Sequence, residues 1–354
     1  MDPHQHFRAP PGDGDGTVLE IACDESGSDG ENLTGGNTDV FAHAGVHVPV
    51  PVAAGALREI RERIRSPASE YKATHLLREK HRAVLEWLLA PGGPLHGAAR
   101  VHLTEKSFFV VDRLAAVLLE DPGAAAELFR TGREALEAQG WQRFLSVANR
   151  LLRSRNGAEP GSSVPLFFET LDDLCRAYAG TAAAPVLARL TAGRERAEAY
   201  RAELLGGPAA RIPVLNPLLP AIVATAAYWS GPGHRPVRLV HDRQNLLTPE
   251  RIAWIEDTAR RSGVALREVR LVVARDDPRV QLADFLAGIA RKAAGEAARG
   301  LGDPRLVPLL RPYVDPASVW GTPAARPCWA SRAPTPRRVR PVEREAAHID
   351  MRPD

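Results

Sequence analysis

The stretch Thr17-Val18-Leu19-Glu20-Ile21-Ala22-Cys23-Asp24-Glu25-Ser26-Gly27 decides how the chain is read. Residues 17–23 are apolar and β-branched enough to predict a core strand. Ser26-Gly27-Ser28-Asp29-Gly30 supplies the turn that ends it. A loop over residues 31–39 leads to a second strand of the same character at 40–48. No crossover helix fits in that loop, so the two strands are expected to pair antiparallel.

Working outward, Pro49 and Pro51 are expected to stop the second strand. A helix follows at 52–65, with Leu57, Ile60 and Ile64 on one face. Another helix is expected at 78–90, a strand at 98–103, and a helix capped by Thr104 that runs to Glu120. Residues 122–207 are rich in Ala, Leu and Arg with helical patterning, broken at 154–164 and near Gly180. Strand patterning returns afterwards, with Val237-Arg238-Leu239-Val240 and residues 269–273. Thr248-Pro249-Glu250 and Asp277-Pro278 each open a helix behind a strand. That alternation predicts parallel strands joined by crossover helices.

The fold class expected is therefore α/β, a mixed β-sheet flanked by helices. Its core covers 17–121 and 208–295, and 122–207 forms a large helical insertion. Residues 1–16 read as a disordered leader. Residues 296–354 read as a Pro/Arg-rich C-terminal extension, with Trp320 and Trp329 able to dock and disorder expected beyond Ser331.

Composition bounds the function. Of 354 residues, 44% are hydrophobic and 25% charged, which excludes a wholly disordered chain. Three cysteines, Cys23, Cys175 and Cys328, exclude a disulfide scaffold. No long apolar run and no apolar signal region are present, so a cytoplasmic protein without membrane contact is expected. The net charge of +3 neither demands nor excludes nucleic acid. Lysine appears only at Lys72, Lys80, Lys106 and Lys292, which makes each of them worth inspecting.

The chemistry concentrates in acidic residues. Asp24 follows a buried strand, where a carboxylate is costly unless it is hydrogen-bonded or bound to a cation. Both readings stay open for it: hydrogen bonds from the glycine turn, or a metal. Asp24 and Glu25 point to opposite faces if the strand continues, so they are not expected to act as a pair. Asp242 ends another apolar strand, and ligands collect at such strand ends. Asp284 sits in the nearly all-apolar run 280–290, with Gln281 and Gly288 on its face. Gly288 is expected to let that face approach the sheet. Glu70, in Ser69-Glu70-Tyr71-Lys72-Ala73, reads by itself as a surface residue.

Carboxylates from separate elements suit Mg2+ or Mn2+, which take oxygen ligands. Two such ions about 4 Å apart can activate a water and stabilise a leaving oxygen in phosphodiester hydrolysis. Zinc is disfavoured, because no Cys-x-x-Cys or His-Glu-x-x-His occurs. The chain also lacks a phosphate-binding Gly-x-x-x-x-Gly-Lys loop, a dinucleotide fingerprint after the first strand and a Gly-x-Ser-x-Gly elbow.

Four elements in this order resemble the DUF3800 family. They are Cys23-Asp24-Glu25-Ser26-Gly27, Glu70-Tyr71-Lys72, His241-Asp242-Arg243-Gln244 and Gln281-Leu282-Ala283-Asp284-Phe285-Leu286-Ala287-Gly288. The resemblance spans about residues 18–295. It implies an RNase H-like fold and a constellation of Asp24, Glu70, Asp242 and Asp284, and it raises Glu70 to an expected ligand. The long helical region 122–207 departs from the family pattern. It is read as a cover for the site, a protein-binding surface or an interface between copies.

The leading expectation is a Mg2+- or Mn2+-dependent nuclease or phosphodiester hydrolase. Asp24 and Asp242 would coordinate directly, and Glu70 and Asp284 would complete the shell or orient water. Lys72 would contact the scissile phosphate, His241 would shuttle protons, and Arg243 and Gln244 would contact the nucleic-acid backbone. His75 is a weaker shuttle candidate. The alternatives are an inactive nucleic-acid- or protein-binding module of the same fold, or a nucleotide-dependent phosphotransferase.

Overall fold

A computed structural model describes residues 18–65, 71–121, 123–154, 163–206 and 212–321. The expected leader, Glu70, Trp329 and the tail beyond Ser331 lie outside the described residues.

Five strands form one mixed sheet: β1 (Leu19–Ser26), β2 (Val40–Val46), β3 (Ala99–Glu105), β4 (Val237–Asp242) and β5 (Leu266–Val272). Their order is β3-β2-β1-β4-β5. β2 is antiparallel to β1 and to β3, while β4 is parallel to β1 and β5 parallel to β4. The expected mixed sheet is therefore present, with β1 at its centre.

The helices are α1 (Val50–Ile64), α2 (Ala73–Leu76), α3 (Arg82–Leu89), α4 (Lys106–Leu118), α5 (Ala124–Ala135), α6 (Glu137–Leu152) and α7 (Ser163–Ala177). They continue as α8 (Ala184–Thr191), α9 (Arg194–Gly206), α10 (Leu218–Ser230), α11 (Pro249–Arg261), α12 (Pro278–Ala298) and α13 (Leu306–Leu310). Asp277 caps α12, its Oδ1 accepting from Arg279 N at 2.9 Å, as its place before Pro278 predicts. α12 then packs on β1 and β2 with α1 and α2 beside it, and nearly every side of it is buried. The opposite face of the sheet carries α10 and α11.

Alternation along β1 sorts its side chains between these layers. Ile21 and Cys23 face α10, while Ala22 packs with Val240 and Val280 on the α12 side. Asp24 therefore emerges on the α12 side and Glu25 on the α10 side.

Helices α4 to α9 enclose a separate apolar cluster that includes Phe129, Phe144, Phe167 and Phe168. Their buried Asn149 holds the loop between β1 and β2. Its Oδ1 accepts from Leu33 N at 2.8 Å and Thr34 N at 3.1 Å, and its Nδ2 donates to Glu31 O at 2.8 Å. Past α13, the chain adds short bridges to β3 and buries Trp320, one of the two expected docking points.

Several boundaries differ from the sequence reading. Pro51 lies inside the first turn of α1 instead of before it, because a first-turn proline forfeits no helical hydrogen bond. Thr104 is a strand residue and Glu105 precedes α4. The expected 78–90 helix divides into a 3₁₀ turn at Glu79–His81 and α3. α10 was not anticipated: its run from Leu218 to Tyr228 is apolar on all sides, so it shows no amphipathic period. Among the described residues no helix is long and apolar enough to cross a membrane.

Candidate functional site

Asp24 is 7% exposed and lies within β1, near the strand's end. Its Oδ1 accepts from the Glu25 backbone N–H at 2.8 Å. Burial pushes its carboxyl up to about 9, and the charges of Glu25, Asp284 and Asp242 push the same way. Among the described residues, none of the largest influences on it is a basic side chain. Asp242 is the last residue of β4, the parallel neighbour of β1. Its Oδ1 accepts from Ala274 N at 2.9 Å, tying the strand end to the turn before α12. Asp284 projects from α12, its side chain 19% exposed. Three separate elements thus bring Asp242 and Asp284 within electrostatic reach of Asp24 at the end of the parallel strands.

Lys72 approaches the same place. Its Nζ stands 4.0 Å from Asp284 Oδ2, and its side chain is 54% exposed. Gly288 explains how the Lys72 segment comes so near: a β-carbon there would sit 2.3 Å from Ala73 Cβ. The close approach that Gly288 permits is therefore chiefly to α2, whereas the sequence reading assigned it to the sheet; Ser26 Oγ is 3.9 Å away. His75 is used locally, its Nδ1 accepting from Lys72 N at 3.1 Å. Glu70 lies outside the described residues, so its expected place in the shell has no geometry here.

The turn after β1 needs its glycine. Gly27 has φ of 86°, and a β-carbon would meet Val40 O at 2.6 Å and Arg291 Cδ at 2.7 Å. Arg291 in turn donates from Nε to Ser26 Oγ at 2.9 Å.

His241 belongs to the other face of the sheet. It is fully buried and stacks on His43 with ring centroids 5.2 Å apart. Its Nδ1 donates to Asp242 O at 2.9 Å, which leaves Nε2 as the acceptor, 3.7 Å from Glu25 Oε2. Burial lowers its basicity. Arg243 is exposed in the turn after β4, and Gln244 is half-buried beside Glu25.

Glu25 is the site residue that sequence reasoning left out. Its side chain is 14% exposed, and burial together with the Asp242 charge raises its carboxyl to about 7. The opposite-face prediction for Asp24 and Glu25 is correct for a strand that continues to Ser26. At a strand end, however, opposite faces do not prevent two carboxylates from feeling each other's charge. The signal was the acidic pair itself, directly after the buried run Ile21-Ala22-Cys23.

The donor chemistry of the three aspartates suits a hard divalent cation, and the charges of Asp242 and Asp284 both disfavour ionisation of Asp24. Their spacing is looser: among the described residues, no three His, Cys, Asp or Glu side chains stand together as a group that could hold a metal ion. No family model, curated protein or solved structure matches the chain. The DUF3800 likeness accordingly rests on its four short elements.

Proposed function

We propose that the protein is a divalent-metal-dependent nuclease or related phosphodiester hydrolase with an RNase H-like core. The observation that carries the reading is Asp24, a buried carboxyl whose largest electrostatic influences are burial and the carboxylates of Glu25, Asp284 and Asp242. Such an arrangement is unfavourable in an empty protein and becomes favourable around a cation. Asp24, Asp242 and Asp284 would hold Mg2+ or Mn2+, with Glu70 as the fourth expected ligand. The cation would supply an activated water and charge stabilisation at phosphorus. Lys72, exposed beside Asp284, is placed to meet a phosphate oxygen. A mixed sheet whose central strand carries Asp24 supports the RNase H-like reading.

The test is cleavage of labelled single- and double-stranded DNA and RNA with Mg2+, Mn2+ or EDTA. Metal-dependent cleavage is expected from the wild type, reduced at least about 100-fold in Asp284→Asn. Equal cleavage by both proteins would place the activity elsewhere or in a contaminant. Oligonucleotide binding without cleavage under every metal condition would favour the binding-module alternative.

A further inference from the structure

A cleft opens along α12 beyond the acidic site. Asn37, Thr38, Arg291, Lys292, Glu296 and Arg299 line most of it, and it encloses about 210 Å³. That volume is below the roughly 300 Å³ of a pocket for a whole small molecule and suits a single phosphate group. Arg291 lies seven residues after Asp284, two helical turns, so both project from one face of α12. The rise between them is about 10 Å, near that of three base steps along a duplex strand.

The charges in this cleft are incompletely matched. Lys292 is paired with Glu296, and Arg299 stands 3.7 Å from Asp39 with both side chains 60% exposed. Arg291 differs from both. Among the described residues no carboxylate lies within ion-pair distance of it, and its one side-chain hydrogen bond goes to the neutral Ser26 hydroxyl. Burial lowers its basicity and Asp29 offsets that only in part. A half-buried guanidinium on a cleft wall, bonded to a neutral group, is suited to accept an anion.

We infer that the Arg291 cleft is a phosphate subsite that binds the polynucleotide backbone a short distance from the acidic site. This rests on the nuclease reading for its substrate class. It adds a binding element that none of the four family-like motifs includes. The link through Ser26 also ties occupancy of the cleft to the turn that follows Asp24.

The test separates this inference from the nuclease reading by measuring binding in EDTA, where no metal-dependent cleavage occurs. Anisotropy of a fluorescent 12-nucleotide single-stranded DNA is titrated with wild type, Arg291→Gln, Arg291→Lys and the Lys292→Gln/Arg299→Gln double variant. Arg260→Gln, on the far helix α11 and 73% exposed, is the control. Arg291→Gln is expected to weaken binding about tenfold and to lower the salt slope by about one. Arg291→Lys should retain most of the affinity, and the control all of it. Should Arg291→Gln fail to fold, the double variant decides, with an expected loss of about threefold. Wild-type affinity and salt slope in a folded Arg291→Gln and in the double variant would overturn the subsite. Competition by a nucleoside monophosphate as effective as that by unlabelled oligonucleotide would overturn the polynucleotide assignment. A nuclease assay that fails while Arg291-dependent binding persists would leave the subsite standing without the catalytic reading.

Discussion

Asp24→Asn is expected to stabilise the metal-free protein while abolishing its activity. In EDTA the folded state holds the Asp24 carboxyl well above its ordinary range, because the site is buried and Glu25, Asp284 and Asp242 are close. The unfolded chain releases that proton near pH 4. Between that pH and about 9 the folded protein therefore binds more protons than the unfolded one. Stability must fall as pH rises through this window, and it is fully present only below it. Asparagine has the same shape and carries no charge. It should raise unfolding stability at pH 8 by about 2 kcal/mol and flatten the pH dependence. The check is a urea melt at pH 5 and pH 8, each with EDTA. A variant that is less stable than wild type at pH 8 would show that the hydrogen bonds around Asp24 favour its ionised carboxylate over a neutral acceptor, the other reading open from the sequence.

Lys106→Met is expected to have the opposite effect, a large loss of stability. Lys106 is the first residue of α4, and its side chain is 1% exposed. Its ammonium pairs with Asp29 and donates to Thr38 Oγ1 at 2.6 Å. Burial raises the Asp29 carboxyl most, but the Lys106 contact together with hydrogen bonds from Thr38 and the Asn37 backbone outweighs it and holds Asp29 below the ordinary range. Asp29 and Thr38 belong to the loop between β1 and β2, so this one ammonium fastens the start of α4 to both ends of that loop. Methionine would strip the largely buried Asp29 of its cation and leave it the Thr38 hydroxyl at 3.1 Å, at a cost of about 3 kcal/mol. Lys80→Met, at an exposed position, should change stability by less than about 0.5 kcal/mol. Denaturant midpoints at pH 7 compare the two. Equal midpoints would remove the structural role assigned to Lys106.

What was legible in the sequence was whatever a local pattern could carry. The β-branched run before Asp24, the turn at Gly27 and the Asp277-Pro278 helix start are short-range signals, and each has its expected counterpart in the structure. The anomaly of Asp284 in an apolar helix was legible for the same reason. What escaped depended on partners distant in the chain. Gly288 makes room for Ala73, a contact across more than two hundred residues that no helix period reveals. α10 escaped because a helix between the sheet and its own neighbours is apolar on every side. Glu25 escaped because alternation assigns a face and says nothing about reach at a strand's end.

The central claim is that Asp24, Asp242 and Asp284 form a divalent-cation site, and a calorimetric Mn2+ titration at pH 7.5 tests it most directly. The wild type is expected to bind saturably. It should release protons as it does so, giving a heat that changes with the ionisation enthalpy of the buffer, because Asp24 gives up its proton to become a ligand. Asp24→Asn/Asp284→Asn should show no saturable heat. A wild type that binds no Mn2+, or a double variant that binds it equally well, would contradict the account.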